Sequence, residues 1–215
     1  MRLVIILLCL PAWAAAGPWL RAPETHFLSI STEMDPMVVP ANPYTAVYYE
    51  YGLSPKVTLG FDGGLDANGV GKALVFARTS LGASRGPHRL SAEFAFGAIS
   101  DGQDISPVVR PGVSWGRGFS LGQQSGWWAL DATYAYRPKD NSHWPKVEGT
   151  IGWAAHDRVK LLMQATAESP NGNAVIVSWT PSVALRLSKQ THLVFGAVIY
   201  NRLPNTLKIG IWQEF

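Results

Sequence analysis

Five histidines, His26, His88, His143, His156 and His192, are the residues best placed by type to act as a base. A hydrolase would need one of them beside a serine nucleophile, with a polar group to orient it. His88, Ser91 and Glu93 fall within one segment, but positions 88 and 91 have opposite parity and in a strand point to opposite faces. His26 and Ser29 fail in the same way. Asp140, Ser142 and His143 sit together in a loop-like stretch where adjacent side chains diverge, and His156-Asp157-Arg158 reads as a polar turn. No two histidines have metal-ligand spacing, and Asp101, Gly102 and Asp104 do not follow a calcium-loop pattern, so no metal and no cofactor is expected. Gly116-Arg117-Gly118 lacks the strand-to-helix setting of a phosphate cradle and reads as turn glycine.

The elements that would position any such residues have a period of two. Leu90, Ala92, Phe94 and Phe96 alternate with Arg89, Ser91, Glu93 and Gly97, and Trp128, Leu130, Ala132 and Tyr134 alternate with Asp131 and Thr133. Helical spacing is almost absent from residue 25 onward. Turn-forming clusters divide the chain into twelve segments, 25–33, 44–52, 56–65, 70–82, 88–99, 106–116, 126–137, 145–155, 158–168, 173–187, 191–202 and 205–215. Ten strands with longer loops is the alternative count. In segment 70–82, Lys72 and Arg78 share a face with Leu74 and Phe76, so its two faces cannot be assigned from pattern. All the connections are short, which argues against a plug domain or a large binding loop.

Composition narrows the setting. Of the 215 residues only 15% are charged and 47% are hydrophobic, with 21 glycines. That excludes a disordered chain. The net charge of +3, without any Lys/Arg cluster, gives no footprint for nucleic acid. Residues 1–16, MRLVIILLCLPAWAAA, read as a signal peptide: Arg2, a short apolar core, then Ala14-Ala15-Ala16 as the cleavage pattern, leaving 17–215 as the mature domain. Ala12-Trp13-Ala14 is a nearby competing site. The sole cysteine, Cys9, would leave with this leader.

Alternation fits a soluble sandwich as well as a membrane barrel, but aromatics near strand ends favour the barrel. These are Tyr49, Tyr51, Trp115, Trp127, Trp128, Tyr134, Tyr136, Trp153, Trp179 and Tyr200. The last segment, with Leu207, Ile209, Ile211 and Phe215 on one face and an aromatic final residue, resembles the closing strand of Gram-negative outer-membrane β-barrel proteins. Gln213 departs from that pattern. Tyr48 to Gly60 is similar to the short hairpins of the same class. The resemblance implies an all-β fold, a single closed antiparallel transmembrane β-barrel of about twelve strands. It further implies location in the cell outer membrane, contact with outer-membrane lipid, and recognition of the final strand by the barrel-assembly machinery.

With apolar residues toward lipid, the lumen lining is expected to include Glu50, Asp62, Arg89, Glu93, Arg110, Asp131, Arg186 and Lys208. Adding Arg137, Lys146, Glu148, Lys160, Glu168 and Glu214 gives seven acidic and seven basic residues, so no strong ion preference follows. The expected role is a monomeric, non-catalytic barrel, either a narrow channel for small hydrophilic solutes or a closed structural barrel. The alternative is a lipid-modifying hydrolase, an esterase or deacylase, with its catalytic group assembled from several strands.

Overall fold

The computed structural model describes residues 17–38, 42–82 and 86–215, so the expected signal peptide lies outside the described residues. Twelve strands form one closed antiparallel barrel in which each strand pairs with its neighbours in sequence. They are β1 (His26–Met34), β2 (Tyr44–Ser54), β3 (Val57–Leu65), β4 (Val70–Ser80), β5 (His88–Asp101) and β6 (Ile105–Leu121). The second half comprises β7 (Gln124–Arg137), β8 (Ser142–His156), β9 (Val159–Glu168), β10 (Ile176–Arg186), β11 (Thr191–Tyr200) and β12 (Thr206–Glu214). Twelve, not ten, is therefore the count, and closure removes the free sheet edges that would otherwise invite aggregation.

The seam lies between the first and last strands. Ile30 stands opposite Ile211 and Phe27 opposite Glu214. His26 and Phe215 exchange both backbone hydrogen bonds, at 2.7 and 3.2 Å, so the final residue closes the ladder. Both ends of the barrel sequence therefore lie at one rim, together with the β2–β3, β4–β5, β6–β7, β8–β9 and β10–β11 turns.

Strand faces follow the alternation. Phe94, Phe96, Trp179, Ile209 and Ile211 are apolar yet exposed on the outer surface. A water-soluble chain would bury such residues, whereas a lipid-facing band displays them. At the rim holding the chain ends, His26 stacks on Phe215 with centroids 5.0 Å apart, and Tyr49 Oη is 2.6 Å from His26 Nδ1. Further round that rim Trp115 meets Trp128 edge-on at 4.7 Å. Two of the expected girdle aromatics belong to the other face. Trp127 is buried opposite Gly152 and Gly118, and Tyr200 shares the inner face with Val194 and Val198.

β5 to β8 run to 14, 17, 14 and 15 residues, against 9 to 11 in the others. A tilted strand crosses the hydrocarbon core in about 9–11 residues, so this side of the wall rises beyond it. Proline marks local relaxation of the ladder. Pairing of β6 with β7 passes from Val109 opposite Tyr136 directly to Gly112 opposite Thr133, skipping Pro111. Pairing of β10 with β11 similarly skips Pro181. Each proline lacks the N–H that a continuous ladder needs.

Candidate functional site

The inner face of β2 to β6 carries a continuous string of alternating charges. Arg21, ahead of β1, pairs with Glu50 on β2. Arg78 on β4 donates from Nη1 to Glu50 Oε1 at 2.5 Å and from Nη2 to Glu93 Oε2 at 2.7 Å. Arg110 on β6 donates to Glu93 Oε1 at 3.1 Å and to Asp62 Oδ2 at 2.5 Å. Lys72 completes the string at 2.8 Å from the same Asp62 oxygen. Asp62 and Arg110 belong to β3 and β6, with two strands between them, a reach that only the concave inside of the wall permits.

Four cations therefore hold three carboxylates, and each carboxylate touches two cations. Glu50 has no exposed surface at all. Its remaining acceptor capacity takes the Tyr48 hydroxyl at 2.7 Å, and Tyr48 in turn accepts from Arg78 Nη2 at 2.9 Å. Burying such charges is costly unless all are paired, so the string stands as a unit.

Apolar residues are packed among these charges. Leu74, Phe76, Ala95 and Val108 form a buried cluster, with Tyr48, Ile99 and Ala135 packed against it. Phe76 stacks on Tyr48 at 5.6 Å and lies under the Arg78 guanidinium at 5.2 Å. The face that Leu74 and Phe76 share with Lys72 and Arg78 is thus the inner one, which settles the segment that pattern alone left open.

The opposite wall carries its charges in separate pairs and single residues, not in a continuous string. Lys146 pairs with Glu148 at 2.7 Å, and Gln164 donates to Glu148 at 2.5 Å. Lys208 pairs with Glu33 at 3.1 Å across the seam. Arg186, opposite His192 in the β10–β11 register, is exposed and has no ion pair among the described residues. Arg89 binds the Gly86 and His88 carbonyls at 2.7 and 2.9 Å, so it holds its own turn and does not join the string. Of the eight residues singled out from sequence, Glu50, Asp62, Glu93 and Arg110 are brought together. Arg89, Asp131, Arg186 and Lys208 are distributed elsewhere on the same inner face.

Sequence reasoning missed a strap across the barrel mouth. Residues 17–25 precede β1 and do not alternate. Glu24 N donates to Gly52 O at 2.8 Å, and Gly52 N donates to Thr25 O at 3.0 Å. Arg21 N donates to Thr58 Oγ1 at 2.8 Å while its guanidinium covers the Phe27 ring. The chain then crosses to β6 and β7. A Cβ placed on Gly116 would lie 2.7 Å from Pro18 Cγ and 2.8 Å from Trp19 Cη2, so this strand glycine makes room for the strap. Gly17 itself is buried against Asp131 and Ala129. The loops are short, and what lies across the mouth is this short N-terminal segment, which is neither a plug domain nor a large loop. The only signal available was that 17–25 is mostly polar or irregular yet contains Trp19 and Leu20, which need a place to be buried.

The candidate hydrolytic groups remain apart. His88 Nδ1 accepts from Trp115 Nε1 at 3.2 Å at the outer rim, whereas Ser91 is buried on the inner face. Ser142 Oγ donates to Asp140 at 2.6 Å, while His143 stacks on Tyr134. Among the described residues, no cluster of three or more His, Cys, Asp or Glu is arranged to hold a metal ion.

This architecture is that of an integral outer-membrane β-barrel: twelve closed strands, an apolar exterior and a charged interior. No family model matches the sequence, and no curated protein does. Solved structures do match in fold. A KdgM porin, solved in complex with disordered oligogalacturonate, superposes with a TM-score of 0.68 at 9% identity, over 88% of this chain and 99% of that one. A NanC porin gives 0.63 at 9% identity, covering 87% and 98%. The COG4313 outer membrane channel from Pseudomonas putida F1 gives 0.52 at 10% identity, covering 94% and 98%. At these identities the likeness is one of fold.

Proposed function

We propose that this protein is exported by removal of residues 1–16 and serves in the outer membrane as a narrow channel for small hydrophilic solutes, without catalytic turnover. The observation that carries this reading is a closed twelve-strand barrel whose interior holds charged side chains distributed over both walls. A barrel of this size lies between the side-chain-filled eight-strand barrels and the open sixteen-strand porins. Whether solutes pass then depends on how much of the lumen the paired charges occupy. Support also comes from the similarity in fold to a KdgM porin and a NanC porin. Against turnover stand the separation of Ser91 from His88 and the engagement of Ser142 with Asp140.

Conductance of the detergent-folded chain in a planar bilayer tests this. Reproducible conductance steps are expected, and a folded barrel that stays silent would overturn the channel reading. Arg186→Ala removes a charge that is in no ion pair among the described residues. It should therefore shift the reversal potential in a salt gradient while leaving the fold intact. Arg110→Ala should shift it in the same direction. Unchanged reversal potentials in both variants would remove these residues from the conducting path.

A further inference from the structure

Asp131 lies on the inner face of β7, opposite Ser114 on β6 and opposite Glu148 on β8. Among the described residues it has no salt bridge, whereas Glu50, Asp62, Glu93 and Glu148 each have at least one. A carboxylate directly across a ladder from another carboxylate is disfavoured, and an enclosed one without a cation more so. The group packed against it is Gly17. A Cβ built on Gly17 would stand 3.0 Å from Asp131 Oδ1, 3.2 Å from Oδ2 and 3.3 Å from Ala129 Cβ.

We propose that Asp131 is the receiving site for the α-ammonium group created at Gly17 when the leader is removed, and that this ion pair anchors the far end of the strap. Two independent observations converge on the same residue. The Ala14-Ala15-Ala16 pattern places the cut immediately before Gly17, and the barrel places Gly17 against a carboxylate that has no salt bridge among the described residues. The nitrogen is one bond, about 1.46 Å, from the Cα whose Cβ direction points at that carboxylate. Once freed of residue 16 it offers three donors and a positive charge. Residue type fits as well: Gly17 has φ +92°, and any side chain would press on the Asp131 oxygens.

The near end of the strap is fixed by Gly52, Thr58 and Glu50, so pairing at Asp131 makes it a bridge held at both walls. Processing of the leader would thereby add a cation to the lumen beside Asp131. The inference rests on the removal of residues 1–16 proposed above but does not require that the barrel conducts, so a silent barrel would leave it standing, and labelling of a correctly cleaved chain tests it alone.

The test is reactivity of the α-amine in protein purified from outer membranes. Intact mass should show Gly17 as the first residue. In the folded barrel, acylation of its amine by a succinimidyl ester near neutral pH should proceed about tenfold or more slowly than in the urea-unfolded chain, because a paired ammonium is a poor nucleophile. Asp131→Asn should remove that protection while the protein keeps its mobility shift on boiling. If Asp131→Asn does not fold, a refolded chain with Gly-Ser added ahead of Gly17 retains Asp131 but displaces the ammonium, and should label rapidly. A first residue other than Gly17, or wild-type labelling as fast as in the unfolded chain, would overturn the proposal.

Discussion

At the residue scale the interior is governed by whether each charge has a partner. Glu50 is the clearest case, because its two oxygens serve Arg21, Arg78 and Tyr48 with no surface left to water. Glu50→Ala leaves Arg78 enclosed with only Glu93 as counter-charge, a change in the class that costs about 3–5 kcal/mol. Glu33→Ala breaks a pair with Lys208 whose members are each about a quarter exposed, and should cost about 1 kcal/mol or less. Urea titration of the refolded protein in detergent should therefore rank the two variants widely apart, and equal midpoints would mean that the string does not stabilise the barrel. At the loop rim the pH response is local. Hydrogen bonds from Arg137 and Ser142 hold Asp140 down from the ordinary 3.8 to about 2. Because the folded value is the lower, this contact is in full effect above pH 3.8 and is lost as pH falls through about 2. The Ser142 amide, which donates to Asp140 at 3.1 Å, should report that titration by NMR. A midpoint near 3.8 would show that Arg137 does not hold the carboxylate.

At the scale of the strand, glycines show where inner and outer faces differ. Gly97 on β5 faces inward, and a Cβ there would come within 2.0 Å of the Ala73 carbonyl on β4, backbone against backbone. Gly149 on β8 faces outward, and nothing lies within 4 Å of where its Cβ would be. Gly97→Val should lower the refolding yield measured by heat-modifiable mobility, whereas Gly149→Val should leave it unchanged or raise it. The same contrast explains how far the sequence could be read. Alternation located all twelve strands to within a few residues, because lipid outside and charge inside impose opposite polarity on adjacent positions. It failed where the inside is itself apolar. Leu74 and Phe76 fill space between Arg78 and Lys72, so β4 carries apolar residues on both faces and parity loses its meaning there. Trp127 failed for the same reason, as an aromatic near a strand end that packs over Gly152 inside the barrel. Arg89 has the right parity but is captured by turn carbonyls, a local competition invisible to periodicity.

At the scale of the whole molecule, wall and strap are separable. The barrel closes through β1 and β12, with pairing that begins at Phe27 opposite Glu214 and is extended by the His26–Phe215 backbone bonds. The backbone ladder of that seam uses none of residues 17–22, and Arg21 touches it through the Phe27 ring. The strap instead draws on the inner face, through Thr58, Glu50, Gly116 and Asp131. A chain beginning at Pro23 should therefore still form the barrel and shift in mobility on boiling. Its stability should fall, because Glu50 loses the Arg21 cation while keeping Arg78 and Tyr48. Its mouth should be wider, because Pro18, Trp19 and Leu20 no longer cross from one wall to the other. In the planar bilayer this predicts a unitary conductance about twofold or more above that of the chain beginning at Gly17, set by the cross-section the strap vacates. The apolar cluster and the string from Arg78 to Lys72 lie on strands that the truncation leaves in place, so they should keep the conductance below that of an open sixteen-strand porin. Equal conductance from the two chains would locate the constriction at that string and not at the strap. Loss of the mobility shift would show that the strap is needed to close the wall.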